Sequence, residues 1–194
     1  MKRLLTICLL AVISLSATAQ KHQTFKGVPI DGRTISFINH LKQKGFQQVG
    51  KSDTLIGTFA GYENCQVTAL SSTQTGIVYG VKVMIPMCAP LLIYEEYKKL
   101  QIALTEKYGE PLNEKHDNTP SNDEDALSAL YKMIASAKEQ LAFPFNCVFD
   151  NGCGTITLNG GWFPPTDCGG GCILMQYIDN ANNTARQRSA YDDL

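Results

Sequence analysis

The sequence predicts an α+β domain: a mainly antiparallel sheet of about six strands with its helices packed on one face. Three observations predict it. Short segments of alternating hydrophobicity follow one another closely, as in a meander. Three longer segments each carry a single apolar stripe at helical spacing, which suits one-sided packing on a sheet. The order helix-then-three-strands occurs twice, so the domain reads as two degenerate halves. The chain has 194 residues, 44% of them hydrophobic and 18% charged, which fits one domain and is too apolar for a disordered chain. A net charge of −1 argues against a polycationic nucleic-acid binder.

The N-terminus carries its own signal. Lys2 and Arg3 precede the apolar run Leu4 to Leu15, and Ser16-Ala17-Thr18-Ala19 follows. This is the pattern of a secretory signal peptide over residues 1–19, cleaved after Ala19. The run is about twelve residues, short of the roughly 20 that span a bilayer. Cys8 lies inside the run rather than just after it, which argues against a lipid anchor. No later stretch reaches membrane length. The expectation is a periplasmic or secreted body, residues 20–194, without stable membrane insertion. Cleavage removes two basic residues and no acidic one, so that body is more acidic than the full chain.

Along this body, residues 20–29 read as an extended lead-in and Asp31-Gly32 as a turn. Ile35, Ile38 and Leu41 place a helix at 34–44 with Phe37 beside the stripe. Gly45 stops it, and Phe46 folds back on its last turn. Residues 54–59, 65–70 and 77–85 read as strands, the last with Ile77, Tyr79, Val81, Val83 and Ile85 on one face. Ile93, Tyr97, Leu100, Leu104 and Tyr108 place a second helix at 91–108, with Glu95 and Lys99 as an i,i+4 pair. Gly109 and Pro111 end it. Ser121 and Glu124 form a capping box that opens a third helix, with Leu127, Leu130, Ile134 and Leu141 on its stripe. Asn151-Gly152 is a hairpin turn between strands 145–149 and 153–158. Gly160 to Gly171 reads as a long loop around Trp162, residues 172–178 as a last strand, and the remainder as a polar tail.

Three passages carry a resemblance. Phe25-Lys26-Gly27-Val28-Pro29-Ile30-Asp31-Gly32 precedes the first helix, and Lys44-Gly45-Phe46 ends it. Gly57-Thr58-Phe59-Ala60-Gly61-Tyr62 leads to Cys65 and Val67, and Leu104-Thr105-Glu106-Lys107-Tyr108-Gly109-Glu110-Pro111 closes the second helix. With the Ala-Gln junction after the signal, they resemble small exported proteins of uncharacterised function from Bacteroidetes-type bacteria. The order of helix and antiparallel strands is similar to modules of the β-lactamase-inhibitor-protein type. The resemblance implies an exported α+β module and transfers no site residue, since fold does not fix function.

Six cysteines follow the signal: Cys65, Cys88, Cys147, Cys153, Cys168 and Cys172. An even count in an exported chain suggests disulfides. Cys168–Cys172, around Gly169-Gly170-Gly171, is the preferred pair, with Cys153 to either of them as the competitor. A two-residue Asn151-Gly152 turn sets Asp150 opposite Cys153 and Cys147 opposite Ile156. Cys147 then shares the apolar face with Phe145 and Phe149 while Cys153 points away. Cys65 reads equally as a buried thiol or as a partner of Cys88. The spacings do not match a zinc site or a C-x-x-C redox motif, so no metal is expected.

Catalytic patterns are missing: there is no H-E-x-x-H, G-x-S-x-G or P-loop, and the glycine run precedes a strand rather than a helix. No catalytic residue and no cofactor is assigned. The acids Asp117, Asp123, Glu124 and Asp125 lack the ladder of a calcium loop. Trp162, the only tryptophan, stands beside Phe163 and two prolines. Trp162 and Phe163 are the candidate partner-binding residues, because aromatic anchors dominate interface energetics. The sequence therefore points to a non-catalytic exported module that binds an envelope or extracellular protein or glycan. The alternatives are a hydrolase with a carboxylate-based site and a carrier of a small apolar ligand.

Overall fold

The computed structural model describes residues 21–87, 89–112, 128, 132, 142–162 and 170–191. The signal segment lies outside the described residues. So does most of the expected third helix, of which Ser128 and Lys132 are described, both helical and exposed.

The architecture is α+β. A small hairpin, β1 (Thr24–Phe25) and β2 (Val28–Pro29), leads into α1 (Thr34–Gln43). Then come β3 (Gln47–Gln48), β4 (Thr54–Phe59), β5 (Tyr62–Ser71) and β6 (Val78–Met87), followed by α2 (Pro90–Tyr108). The second half is β7 (Ala142–Asp150), β8 (Gly154–Trp162) and β9 (Gly171–Asp179), closed by α3 (Asn180–Tyr191). The last seven strands form one antiparallel sheet in the order β3-β4-β5-β6-β9-β8-β7. Two meanders, each preceded by a helix, thus join along their final strands, β6 and β9.

Register explains the core. Leu55, Val67, Val83, Met175, Leu158 and Cys147 are successive partners across six strands, and all six are buried. Because side chains alternate faces, every second residue of these strands joins them under the helices. Each large aliphatic or aromatic side chain buried here stabilises by about 1.5–3 kcal/mol. Helix α2 covers β6 to β9 through Ile93, Tyr97, Leu100 and Leu104, while α1 covers β5 and β3 through Phe37, Ile38 and Leu41. Phe25, Phe59 and Tyr177 form a ring cluster, with centroids 5.5 Å apart for Phe25–Phe59 and 5.4 Å for Phe25–Tyr177. Phe46 does fold back: its amide donates to Leu41 O at 3.2 Å, and its ring lies so close to Gly57 that a Cβ there would sit 2.5 Å from it.

Several local expectations change. Ile35 is 77% exposed, so the buried face of α1 turns on Phe37 rather than on Ile35. A bulge between Leu70 and Ser71 shifts the start of β6, burying Val78 and leaving Tyr79 half-exposed. Lys99 pairs with Glu96 at 2.5 Å, not with Glu95, because Glu96 is already held by the Tyr62 hydroxyl. The Asn151-Gly152 turn is longer than two residues: Asp150 faces Thr155 and Cys147 faces Leu158. Asn151 makes that possible, since its Oδ1 accepts from the amides of Cys153 (3.1 Å) and Gly154 (3.0 Å). The placing of Cys147 with Phe145 and Phe149 stands, all three being buried. Residues 160–162 are strand rather than loop, pairing with Ile173, Cys172 and Gly171. Glycine at 160 lets Phe145, Ile93 and Tyr97 pack close, within 3.2–3.3 Å of where a Cβ would stand. The C-terminal residues expected as a tail form α3.

Candidate functional site

The site grows from the junction of β9 and α3. Asp179 is wholly buried, a position that is costly for a carboxylate unless donors surround it. Its Oδ1 accepts from the Asn182 amide at 2.8 Å, the bond an N-cap residue makes to the third helical position. Its Oδ2 accepts from the Gln23 amide at 2.8 Å and lies 3.2 Å from His22 Nδ1. His22 Nε2 faces Asp31 at 3.7 Å. Asn182 extends the knot through Nδ2 to Ile30 O (3.0 Å), Asp31 Oδ1 (3.0 Å) and Val78 O (3.2 Å). Asn151 donates to Gln23 Oε1, so the β7–β8 turn belongs to the same network. These polar bonds tie lead-in, turn, sheet and helix together at this point, beside the burial of Phe25, Val28 and Ile30 in the core.

Beside this knot, between α3 and the β7–β8 turn, opens a cleft of about 530 Å³. Lys21, Cys153, Asn180, Asn182, Thr184 and Arg188 are among its lining, which includes no Asp or Glu among the described residues. A smaller cleft of about 210 Å³ lies against Tyr79 and Arg186 of α3. There the guanidinium stacks 4.6 Å from the Tyr79 ring and donates twice to Asn183 Oδ1 (3.1 and 3.0 Å). Among the described residues, no group of three or more His, Cys, Asp or Glu is placed to hold a metal ion.

Of the residues singled out from sequence, Cys153 lines the cleft. Trp162 ends β8, its backbone paired with Ala142 and Gly171. Phe163 and Cys168 lie outside the described residues, so the Cys168–Cys172 pair does too. No disulfide joins two of the described cysteines. Register removes the Cys153–Cys172 competitor. Cys153 precedes the Gly154–Asp179 pair, whereas Cys172 pairs with Gly161 at the opposite end of β9. At about 3.3 Å per residue the two thiols are on the order of 20 Å apart. Cys65 is a buried thiol whose Sγ lies 3.3 Å from Tyr62 O, and burial pushes its pKa up. Its alternative partner, Cys88, lies outside the described residues.

His22, Asp179 and the cleft were missed because none belongs to a motif. One signal was present: an aspartate followed by Asn180-Ala181-Asn182 is a helix N-cap pattern, unread because no apolar stripe follows it.

A second ionisable group sits over the core. The Tyr62 hydroxyl donates to Glu96, which also accepts from Lys99. Burial, then the Glu96 hydrogen bond, pushes the Tyr62 phenol well above its usual range. The Lys99 and Tyr62 hydrogen bonds hold Glu96 below the usual carboxylate value. This chain clips the β4–β5 hairpin to α2. Among the described residues, no helix is long and apolar enough to cross a membrane. Comparison with protein-family models, with curated proteins and with solved structures gave no match.

Proposed function

We propose that the chain is a non-catalytic binding module, exported to the periplasm or beyond, whose ligand seat is the cleft between α3 and the β7–β8 turn. The observation that carries this reading is the cleft's construction. Its volume falls in the usual range for ligand sites, and its walls rest on the buried Asp179 network rather than on a free loop. The histidine nearest the site supports binding over catalysis. Both His22 ring nitrogens face carboxylates, and both Asp179 oxygens are engaged, so neither group is presented as a free base. The exported-module resemblance and the N-terminal signal are consistent with a partner in the envelope or outside the cell. In this reading Trp162 and Phe163 supply a second contact to a larger protein or glycan partner.

Photo-crosslinking in producing cells tests the proposal. A photoreactive residue at position 184, in the cleft, or at 163 is expected to capture a defined envelope or extracellular component. The same residue at 102, on the exposed side of α2, is expected to capture none. Equal capture from 102 and 184, or a mature protein that retains Met1, overturns it.

A further inference from the structure

We propose that the cleft beside α3 takes an organic anion, a molecule presenting a phosphate or carboxylate group to Lys21 and Arg188. The inference deepens the binding reading and rests on it. Both cations line the cleft, yet neither has a hydrogen-bond or ion-pair partner among the described residues. Unpaired cations that share a concave wall raise the local concentration of anions and favour their binding. The rest of the lining suits the same guest. The Thr184 hydroxyl and the Asn180 side chain can donate to oxygen, and among the described residues no Asp or Glu lines the wall to repel it.

Asp179, at the start of α3, is the carboxylate at the centre of the adjoining knot. Its carboxylate is buried and its oxygens are engaged by the Asn182 and Gln23 amides and by His22, so its charge is compensated before a ligand arrives. Asp31 is engaged in turn by Asn182 and faces His22. Neither carboxylate is available to close Lys21 or Arg188 off from within the knot. At about 530 Å³ the cleft exceeds what a bare inorganic ion fills, which is why the guest is an organic molecule bearing the anionic group. Arginine supplies the planar fork that matches phosphate or carboxylate, and lysine adds a point charge.

The test uses the processed protein labelled for amide NMR, titrated at constant ionic strength with inorganic phosphate and separately with citrate. Saturable shifts at Gly152, Cys153, Thr184 and Ala185 are expected. Arg188→Gln and Lys21→Gln should each weaken the fitted affinity at least fivefold while leaving the thermal midpoint in place, since both side chains are exposed. Citrate stronger than phosphate identifies a carboxylate guest, and the reverse a phosphate guest. A chemical readout accompanies it. Alkylation of Cys153 by anionic iodoacetate, relative to neutral iodoacetamide, should be enhanced in the parent protein and lose that enhancement in Arg188→Gln. Shifts that do not saturate, that map away from the cleft, or that persist unchanged in both variants overturn the anion assignment. If capture from position 184 survives that result, only the ligand class falls. If the anion binds but position 184 captures nothing in cells, the anion assignment stands and the larger partner falls.

Discussion

Helices α2 and α3 are held to the same sheet by opposite means. Ile93, Tyr97, Leu100 and Leu104 of α2 are buried over β6 to β9, with Tyr94 and Tyr97 packed against Phe145 at ring separations of 5.2 and 5.4 Å. No residue of α3 from 180 to 190 is fully buried. It is fixed instead by the Asp179 cap, the reach of Asn182 to three carbonyl or carboxylate oxygens, and the Arg186–Tyr79 stack. Apolar packing closes α2 onto the sheet along its whole stripe. Polar anchoring ties α3 at its first turn, at Arg186 and again where Ser189 bonds Gln74, and leaves space along its flank, where both described clefts lie.

Removing one anchor from each region breaks the comparison most sharply. Phe149→Ala deletes a fully buried ring and should cost about 3–5 kcal/mol, lowering the urea midpoint of the whole domain. Asp179→Ala should cost about 2–3 kcal/mol, because the buried Gln23 amide and the Asn182 amide lose their acceptor. The distinguishing measurement is hydrogen exchange. In Asp179→Ala, protection should fall first along 182–190 while β5, β6 and β9 stay protected. Uniform loss in both variants would show that α3 is part of the core's cooperative unit.

The same contrast explains what the sequence could disclose. The strands of the meanders and α2 were legible because alternation and 3.6-residue stripes are the direct trace of apolar burial at Val81, Val83, Ile93 and Tyr97. Helix α3 left no such trace, since Asp179, Asn182, Arg186 and Ser189 hold it through partners distant in the chain, 157 residues apart for His22 and Asp179. Ile35 and Glu95 were misjudged for a related reason. Periodicity gives a face of the helix, but the neighbour on that face, Tyr62 in the case of Glu96, decides which residue of it is engaged. The cleft was illegible because it forms only where lead-in, turn and helix converge.

The polar clip over the core sharpens the comparison through pH. Glu96 ionises below its usual value in the folded chain, with the Lys99 hydrogen bond the largest cause and the Tyr62 bond next. A depressed carboxylate contributes stability above its unfolded pKa and loses it as pH falls through the folded one. Glu96→Gln should therefore cost under about 1 kcal/mol at pH 7. The gap to the parent should close on titration below pH 4, followed by chemical denaturation at each pH. A gap that persists at pH 3 would mean that the introduced amide disturbs packing rather than charge. The α3 region should show no such acid-dependent difference for this variant, because Glu96 does not touch it.

The two hairpin turns give the smallest effect. In the β7–β8 turn the Asn151 side chain satisfies two backbone amides and reaches Gln23. The β4–β5 turn joins the Phe59–Tyr62 pair through Ala60 at φ 51° and Gly61 at φ 89°, both left-handed. A two-residue turn of this kind matches the strand twist only when both φ values are positive, and alanine adopts that region at a cost of about 1–2 kcal/mol. Asparagine adopts it more readily, because its short polar side chain bonds locally. Ala60→Asn should therefore stabilise by about 0.5 kcal/mol, a rise of roughly 1–2 °C in the thermal midpoint for a domain of this size. The position is exposed, so no packing opposes the change. Lys26→Asn, at φ 52° in the β1–β2 turn, should behave alike. A fall in the midpoint for Ala60→Asn would mean that the Ala60 methyl contributes more than its strain costs, and that the core-side turn is tuned by contact as the cleft-side turn is by hydrogen bonds.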